Sequence, residues 1–195
     1  MKKIIFFLIL IAAGCYVYTT PDILEKAKQA LFPKEKPRKK SHITKEEALK
    51  ELIQAGVIQT EEDVESMVGM RALFNASSEK KTHTARKLIA AGVNVNARLD
   101  EGKTPLVQAA YAGNVAMVKM LIHAGADVNY VSDNGLNILM HALQGGDNEK
   151  VVDALLSAGA DPTYRSRWGS DTMGHAKHLK RVKAINLLKE KGISE

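Results

Sequence analysis

His175 and His178 stand three residues apart in a stretch with helical patterning, a spacing that can turn two imidazoles toward one metal ion. A metal centre needs further ligands, and neither a carboxylate nor a cysteine is tied to this pair, so no metal site is expected. Cys15 is the chain's single cysteine; it excludes an internal disulfide, a multi-cysteine zinc site and an iron–sulfur cluster. His83, His123 and His141 are scattered over distant segments and read as packing or surface residues. No Ser-His-Asp arrangement, nucleophile elbow or Gly-rich phosphate loop is present, and Gly145-Gly146 reads as a turn between helices. The inventory points to neither cofactor nor catalysis, which leaves recognition.

The elements that must position a recognition surface follow from composition. In 195 residues, 45% hydrophobic and 26% charged, there is neither the polarity of a wholly disordered chain nor the apolar content of a multi-span membrane protein, and a collagen-like fibre is excluded. Phe6, Phe7, Tyr16, Tyr18 and Phe32 are half of the ten aromatics. The core beyond them must therefore be built from Leu, Ile, Val, Met and Ala, which suits helix packed on helix. The formal net charge of +6 is concentrated between Arg165 and Lys191, where eight Lys/Arg face only Asp171 and Glu190. A second basic cluster, Lys34 to Lys40, contains Pro37. Both clusters read as a solvated end cap and a solvated linker in preference to a phosphate-binding surface, so nucleic acid is not the expected partner.

Met1-Lys2-Lys3 and the run Ile4 to Ile11 have the charged-then-apolar design of an export signal, closed by the small residues Ala12-Ala13-Gly14 before Cys15. Residues 1–20 are accordingly a signal peptide or membrane anchor. The ending resembles the lipobox of bacterial lipoproteins, although Ala12 stands where that family usually has Leu. The resemblance implies lipidation at Cys15 and a body in the periplasm. Two other readings stay open, because Ile4 to Tyr18 is 15 residues, short of a bilayer span, and seven Lys/Arg lie between Lys26 and Lys40. These are an uncleaved anchor with the body outside, and a body left in the cytoplasm. All three place the protein on a membrane.

Residues 21–43 read as a basic, Pro-containing tether. Thr44 with Glu47 three residues on is a capping box, followed by Ala48, Leu49, Leu52 and Ile53 at helical spacing until Gly56. Thr60-Glu61-Glu62-Asp63 repeats the start signal ahead of Val64, Met67 and Val68. The spacing predicts a helical-hairpin cap over 44–68.

An internal period then takes over. Gly92, Gly125, Gly159 and Gly192 are separated by 33, 34 and 33 residues, and Gly69, Gly102, Gly135 and Gly169 by 33, 33 and 34. Leu88, Leu121, Leu155 and Leu188 precede the first series by four, and Ala76, Ala109, Ala142 and Ala176 follow the second by seven. The stretch from Gly102-Lys-Thr-Pro-Leu through Ala124-Gly-Ala-Asp-Val-Asn129 resembles the ankyrin repeat over its whole length. The unit from Asn134 to Pro162 keeps the pattern but replaces Thr-Pro with Asn137-Ile138. The first unit has lost Thr-Pro, and the last is shortened and polar, with Lys189 and Lys191. The resemblance implies an all-α ankyrin-repeat solenoid of about four units over 69–195 (69–101, 102–134, 135–168 and 169–195), the first and last degenerate.

In such an array hairpin tips and exposed first-helix positions line a concave face. By register these are Arg98, Asp100, Glu101 and Lys103; Tyr111, Tyr130, Val131, Asp133, Asn134 and Leu136; then Tyr164, Arg165, Arg167, Trp168 and His178. Tyr, Trp and Arg dominate binding energy at interfaces. Tyr130, Tyr164 and Trp168 are also compatible with covering the hairpin edges of neighbouring units. The face runs from acidic to basic along the chain, so a partner of opposite polarity is expected. The build resembles exported ankyrin immunity proteins that neutralise secreted toxins or lipases, and others linked to peroxide defence. It implies a monomeric, non-catalytic inhibitor tethered in the envelope. The alternative is a cytoplasmic-side membrane adaptor whose basic end binds anionic lipid or nucleic acid.

Overall fold

The computed structural model describes residues 43–193, so Cys15, the apolar run and the tether lie outside the described residues. Helix α1 (Lys45–Gln54) begins as its sequence dictates. The Thr44 hydroxyl accepts from the Glu47 amide at 3.2 Å, and the Glu47 carboxylate accepts from the Thr44 amide at 3.2 Å. Ala48, Leu49 and Leu52 are its buried face.

The hairpin expected over 44–68 does not form. The Asp63 carboxylate accepts from the amides of Gln59 (2.7 Å) and Thr60 (2.9 Å), a local arrangement that competes with a helix and leaves only a single 3-10 turn at Glu62–Val64. Ser66 then caps a new helix, α2 (Met67–Ser78), accepting from the Val68 amide at 3.1 Å. Met67 and Val68, expected in the cap's second helix, are instead the exposed first turn of α2. Helix α1 packs along α3 (Thr82–Ala91). It is thus the outer helix of a further, incomplete unit.

Three more helix pairs follow: α4 (Pro105–Tyr111) with α5 (Val115–His123), α6 (Ile138–Gly145) with α7 (Glu149–Ser157), and α8 (Thr172–His178) with α9 (Val182–Glu190). Successive first helices α2, α4, α6 and α8 pack on one another, and second helices α1, α3, α5, α7 and α9 form a parallel row. The result is a two-layer solenoid whose core lies between the rows. Among the described residues there is no strand, only the isolated bridges Leu99–Lys103 and Val131–Asn137 at hairpin tips.

The repeat text maps directly onto these contacts. Thr104 caps α4, its hydroxyl accepting from the Val107 amide at 3.3 Å, and Pro105 occupies the first turn where no donor is needed. Asn137 does the same work for α6, accepting from the Met140 amide at 3.0 Å, and its Nδ2 also donates to the Asp161 carbonyl at 3.0 Å. Replacing Thr-Pro therefore keeps the cap and adds a bond to the loop that follows α7 in the same unit. Ala76, Ala109, Ala142 and Ala176 are buried between rows, with Leu88, Leu121, Leu155 and Leu188 fully enclosed. A Cβ at Gly145 would lie 1.7 Å from the Tyr111 carbonyl oxygen, so only glycine lets α6 approach the end of α4 this closely.

Polar staples hold the units in register. Asn96 Nδ2 donates to the Gly125 carbonyl (3.1 Å) while its Oδ1 accepts from the Asp127 amide (2.9 Å). One unit later Asn129 repeats both bonds, to the Gly159 carbonyl (3.2 Å) and from the Asp161 amide (2.8 Å). Thr163 has the third register position and bonds only its own Asp161 carboxylate. The last unit is secured differently: Arg181 donates to the carbonyls of Leu143 (2.8 Å) and Gln144 (3.3 Å), and Asp147 accepts from the amides of Lys183 (3.1 Å) and Ala184 (3.0 Å). Leu121→Ala, which empties a fully buried inter-row position, is expected to cost about 2 to 5 kcal/mol in denaturant or thermal unfolding.

Candidate recognition surface

Three hairpin tips project from the helical rows, each closed by an equivalent backbone bond: Leu99 N–H to Lys103 O (3.0 Å), Ser132 N–H to Leu136 O (3.1 Å) and Ser166 N–H to Ser170 O (2.9 Å). Their side chains interlock from tip to tip. The Tyr130 hydroxyl donates to the Gly102 carbonyl, and the Tyr164 hydroxyl to the Gly135 carbonyl at 3.3 Å. Both tyrosines are half-buried. They staple each tip to the preceding one, so they belong with the hairpin-covering alternative and not with a free contact face.

Charged residues extend the ladder. Arg98 Nη2 lies 2.7 Å from Asp133 Oδ1, with its guanidinium 5.5 Å from the centre of the Tyr130 ring. Arg167 donates to the Asp133 carbonyl and stacks 5.8 Å from the Trp168 ring. Glu101, whose φ is +59°, pairs with Lys103 at 2.7 Å, and that ammonium holds its carboxyl below the usual carboxylate range. Asp100 lies in the turn Asp100–Gly102. Asn134 turns inward, its Oδ1 accepting from the Leu136 amide at 3.1 Å and lying 2.6 Å from Ser132 Oγ. Val131 is half-buried beside the bridge to Asn137. Leu136 is 2% exposed, a core residue and not the surface position that its register suggested, because both its backbone groups are bonded into the closure of the tip, its carbonyl to the Ser132 amide and its amide to Asn134 Oδ1.

Lys103, Val107, Gln108, Tyr111, Asn134, His141 and Gln144 line a cleft of about 220 Å³ on α4, α6 and the tips that lead into them. Register reading missed Gln108, His141 and Gln144. The available signal was the column Asn75, Gln108, His141 and His175, one residue per unit at the repeat spacing. Tyr111 is 49% exposed at this cleft, and Trp168, at the last tip, is 68% exposed. Arg165 and His178 are also exposed. Of the predicted set, Tyr111 stands at the cleft, Arg165, Arg167 and Trp168 share one tip, and Tyr130 and Tyr164 are withdrawn into stacking.

His141 is buried, with Nε2 2.6 Å from Ser132 Oγ. Burial pushes its imidazole down to about 4, helped by the positive Lys103 and by His175 and opposed by Glu101. His175 is lowered as well, by burial and by His178. No group of three His, Cys, Asp or Glu among the described residues could hold a metal ion. The unfolded chain binds the His141 proton near pH 6.5 and the folded chain only near 4, so stability present above pH 6.5 declines as pH falls through this window. Thermal or urea unfolding between pH 7 and 4 should show a loss of roughly 2 to 3 kcal/mol, much of it absent in His141→Gln, the side chain that Gln108 supplies one unit earlier.

With this geometry in place, comparison with known proteins is direct. The family model for ankyrin repeats (3 copies) matches residues 41–132 and 73–166. An ankyrin repeat-containing protein of Treponema pallidum (strain Nichols) is 33% identical over 110 residues, covering 56% of this chain and 37% of that protein. An ankyrin repeat protein of Rickettsia felis is 31% identical over 111 residues, covering 56% and 29%. The BRCA1-associated RING domain protein 1 of Caenorhabditis elegans is 30% identical over 117 residues, covering 60% and 16%. The chain spans less than two-fifths of the length of these relatives. The family match begins at residue 41, which agrees with α1 being repeat material and not a separate cap. Units stacked in two helical rows, capped by Thr104 and its equivalents and joined by hairpin tips, belong to the ankyrin-repeat family, whose repeats are protein–protein interaction modules.

Proposed function

We propose that this chain is a non-catalytic inhibitor or immunity-type module that binds a secreted protein, such as a toxin or lipase, while tethered to the bacterial envelope through Cys15. The observation that carries the recognition reading is the cleft beside Tyr111. It presents Lys103, Gln108, Asn134 and Gln144 around an exposed aromatic on a rigid array. Tyr111 offers contact area with little ordering cost, and the surrounding amides can satisfy a partner's backbone. The tether rests on the charged-then-apolar start of the chain and its Ala-Ala-Gly-Cys ending. An adaptor role for the basic end is less well supported. Arg181 is spent on the carbonyls of Leu143 and Gln144, Lys191 on Asp153 at 2.7 Å, and Arg167 on the Asp133 carbonyl.

The test pairs binding with attachment. A purified secreted toxin or lipase of the kind the proposal names is expected to bind the full chain, and Tyr111→Ala is expected to weaken that binding by about 1 to 4 kcal/mol with an unchanged melting curve. Unchanged affinity in Tyr111→Ala would remove the cleft from the interface. Metabolic labelling with a fatty-acid analogue should mark the wild type and not Cys15→Ser. Equal labelling of the two would contradict the lipid tether.

A further inference from the structure

The three tips share one register, and the molecule therefore shows what a residue at each position binds when another tip stacks on it. Arg98 and Arg165 hold the same position in the first and third tips, with Val131 at that position in the second. Arg98 receives both its partners from the next tip: the Asp133 carboxylate at 2.7 Å and the Tyr130 ring at 5.5 Å. Arg165 has no such neighbour among the described residues. Its Nη1 turns back to the Gly169 carbonyl of its own tip at 2.9 Å, and its Nη2 stands 3.9 Å from Asp171 Oδ2. Asp171 already caps α8, its Oδ1 accepting from the Gly174 amide at 2.8 Å. The Arg165 side chain is 70% exposed.

The glycine at the head of each tip tells the same story. A Cβ at Gly102 would collide with the Asp133 side chain and one at Gly135 with the Arg167 side chain, whereas at Gly169 it would meet nothing within 4 Å. The first two glycine carbonyls accept from Tyr130 and Tyr164, the third from Arg165 of its own tip. Beside this uncovered edge lies Trp168, 68% exposed, with the Arg167 guanidinium 5.8 Å from its ring centre. The Arg165 guanidinium and an indole thus stand open, with Arg167 held beside them by the Asp133 carbonyl, where the first tip is covered by a carboxylate and a phenol ring.

We infer that the last tip, Arg165 with Arg167 and Trp168, is a socket for an acidic segment of a protein partner. Its carboxylate takes on Arg165 the place that Asp133 has on Arg98, and an adjoining apolar group covers Trp168. The inference rests on the protein-recognition reading above and names the chemistry at one part of that surface. A carboxylate is favoured over a phospholipid headgroup because the chain itself pairs this register position with a carboxylate and a ring carried on one hairpin.

Trp168 is the chain's only tryptophan, so its fluorescence reports on this tip alone. The full chain in non-ionic detergent is titrated with octaglutamate and with octaglutamine. Octaglutamate should shift the emission saturably and octaglutamine should not. Arg165→Gln should weaken the response about tenfold, while Lys183→Gln, an equal loss of charge in the following unit, should change it less than about twofold. Circular dichroism melts confirm that both variants fold. The inference is overturned by silent emission, by equal losses in the two variants, or by phosphatidylglycerol in mixed micelles shifting the emission at lower anion concentration than octaglutamate. The last result would assign the tip to a lipid surface. Silent emission with Tyr111→Ala still impairing partner binding removes the socket and leaves the cleft; an unaffected Tyr111→Ala with a normal titration does the reverse.

Discussion

A helix pair of this length cannot bury its apolar face alone, and everything else in the structure depends on the contact that one unit makes with the next. Leu88, Leu121, Leu155 and Leu188 supply the apolar part of that contact, and they are fully enclosed. Direction and spacing come from the polar part. Asn96 and Asn129 each take one carbonyl and one amide of the following unit, and two bonds from one planar amide fix rotation as well as distance. An apolar interface between alanine-lined helices could slide; one pinned by a two-point amide has a single register.

The same stacking decides which surface is left for a partner. Tyr130 and Tyr164 look like recognition residues on any composition scale, but their hydroxyls are spent on Gly102 and Gly135, and Arg98 is spent on Asp133. Each tip thus consumes the binding capacity of the tip before it. What escapes is the cleft beside Tyr111 and the last tip, where no further hairpin covers Gly169 among the described residues.

Much of the architecture could be read from residues because ankyrin units announce themselves through stereochemistry. Gly125 must adopt a φ of +88° to end α5, a conformation that L side chains rarely adopt, so glycine recurs with the repeat. The misassigned cap has an equally physical cause. Gly56 ends α1 as Gly92 ends α3, but they are 36 residues apart (92 − 56), outside the 33 to 34 spacing, and the lost register hid α1's place in the outer row. For the tyrosines no local signal existed. A loop aromatic has the same sequence neighbourhood whether its hydroxyl faces water or a carbonyl 28 residues away. Gln108 and His141 were visible only as a column across units, since neither looks functional within its own repeat.

The amide staples, and not apolar burial alone, hold the array in one register. Hydrogen exchange on Asn129→Ala tests it most directly, because the Asp161 amide has the Asn129 side chain as its acceptor at 2.8 Å. In this variant the Asp161 amide is expected to lose its protection, α8 and α9 to exchange through a lower-energy opening than α2 and α3, and unfolding stability to fall by about 1 to 3 kcal/mol. An Asp161 amide as slow as in the wild type, with an unchanged melt, would contradict it and leave apolar packing as sufficient to set the register.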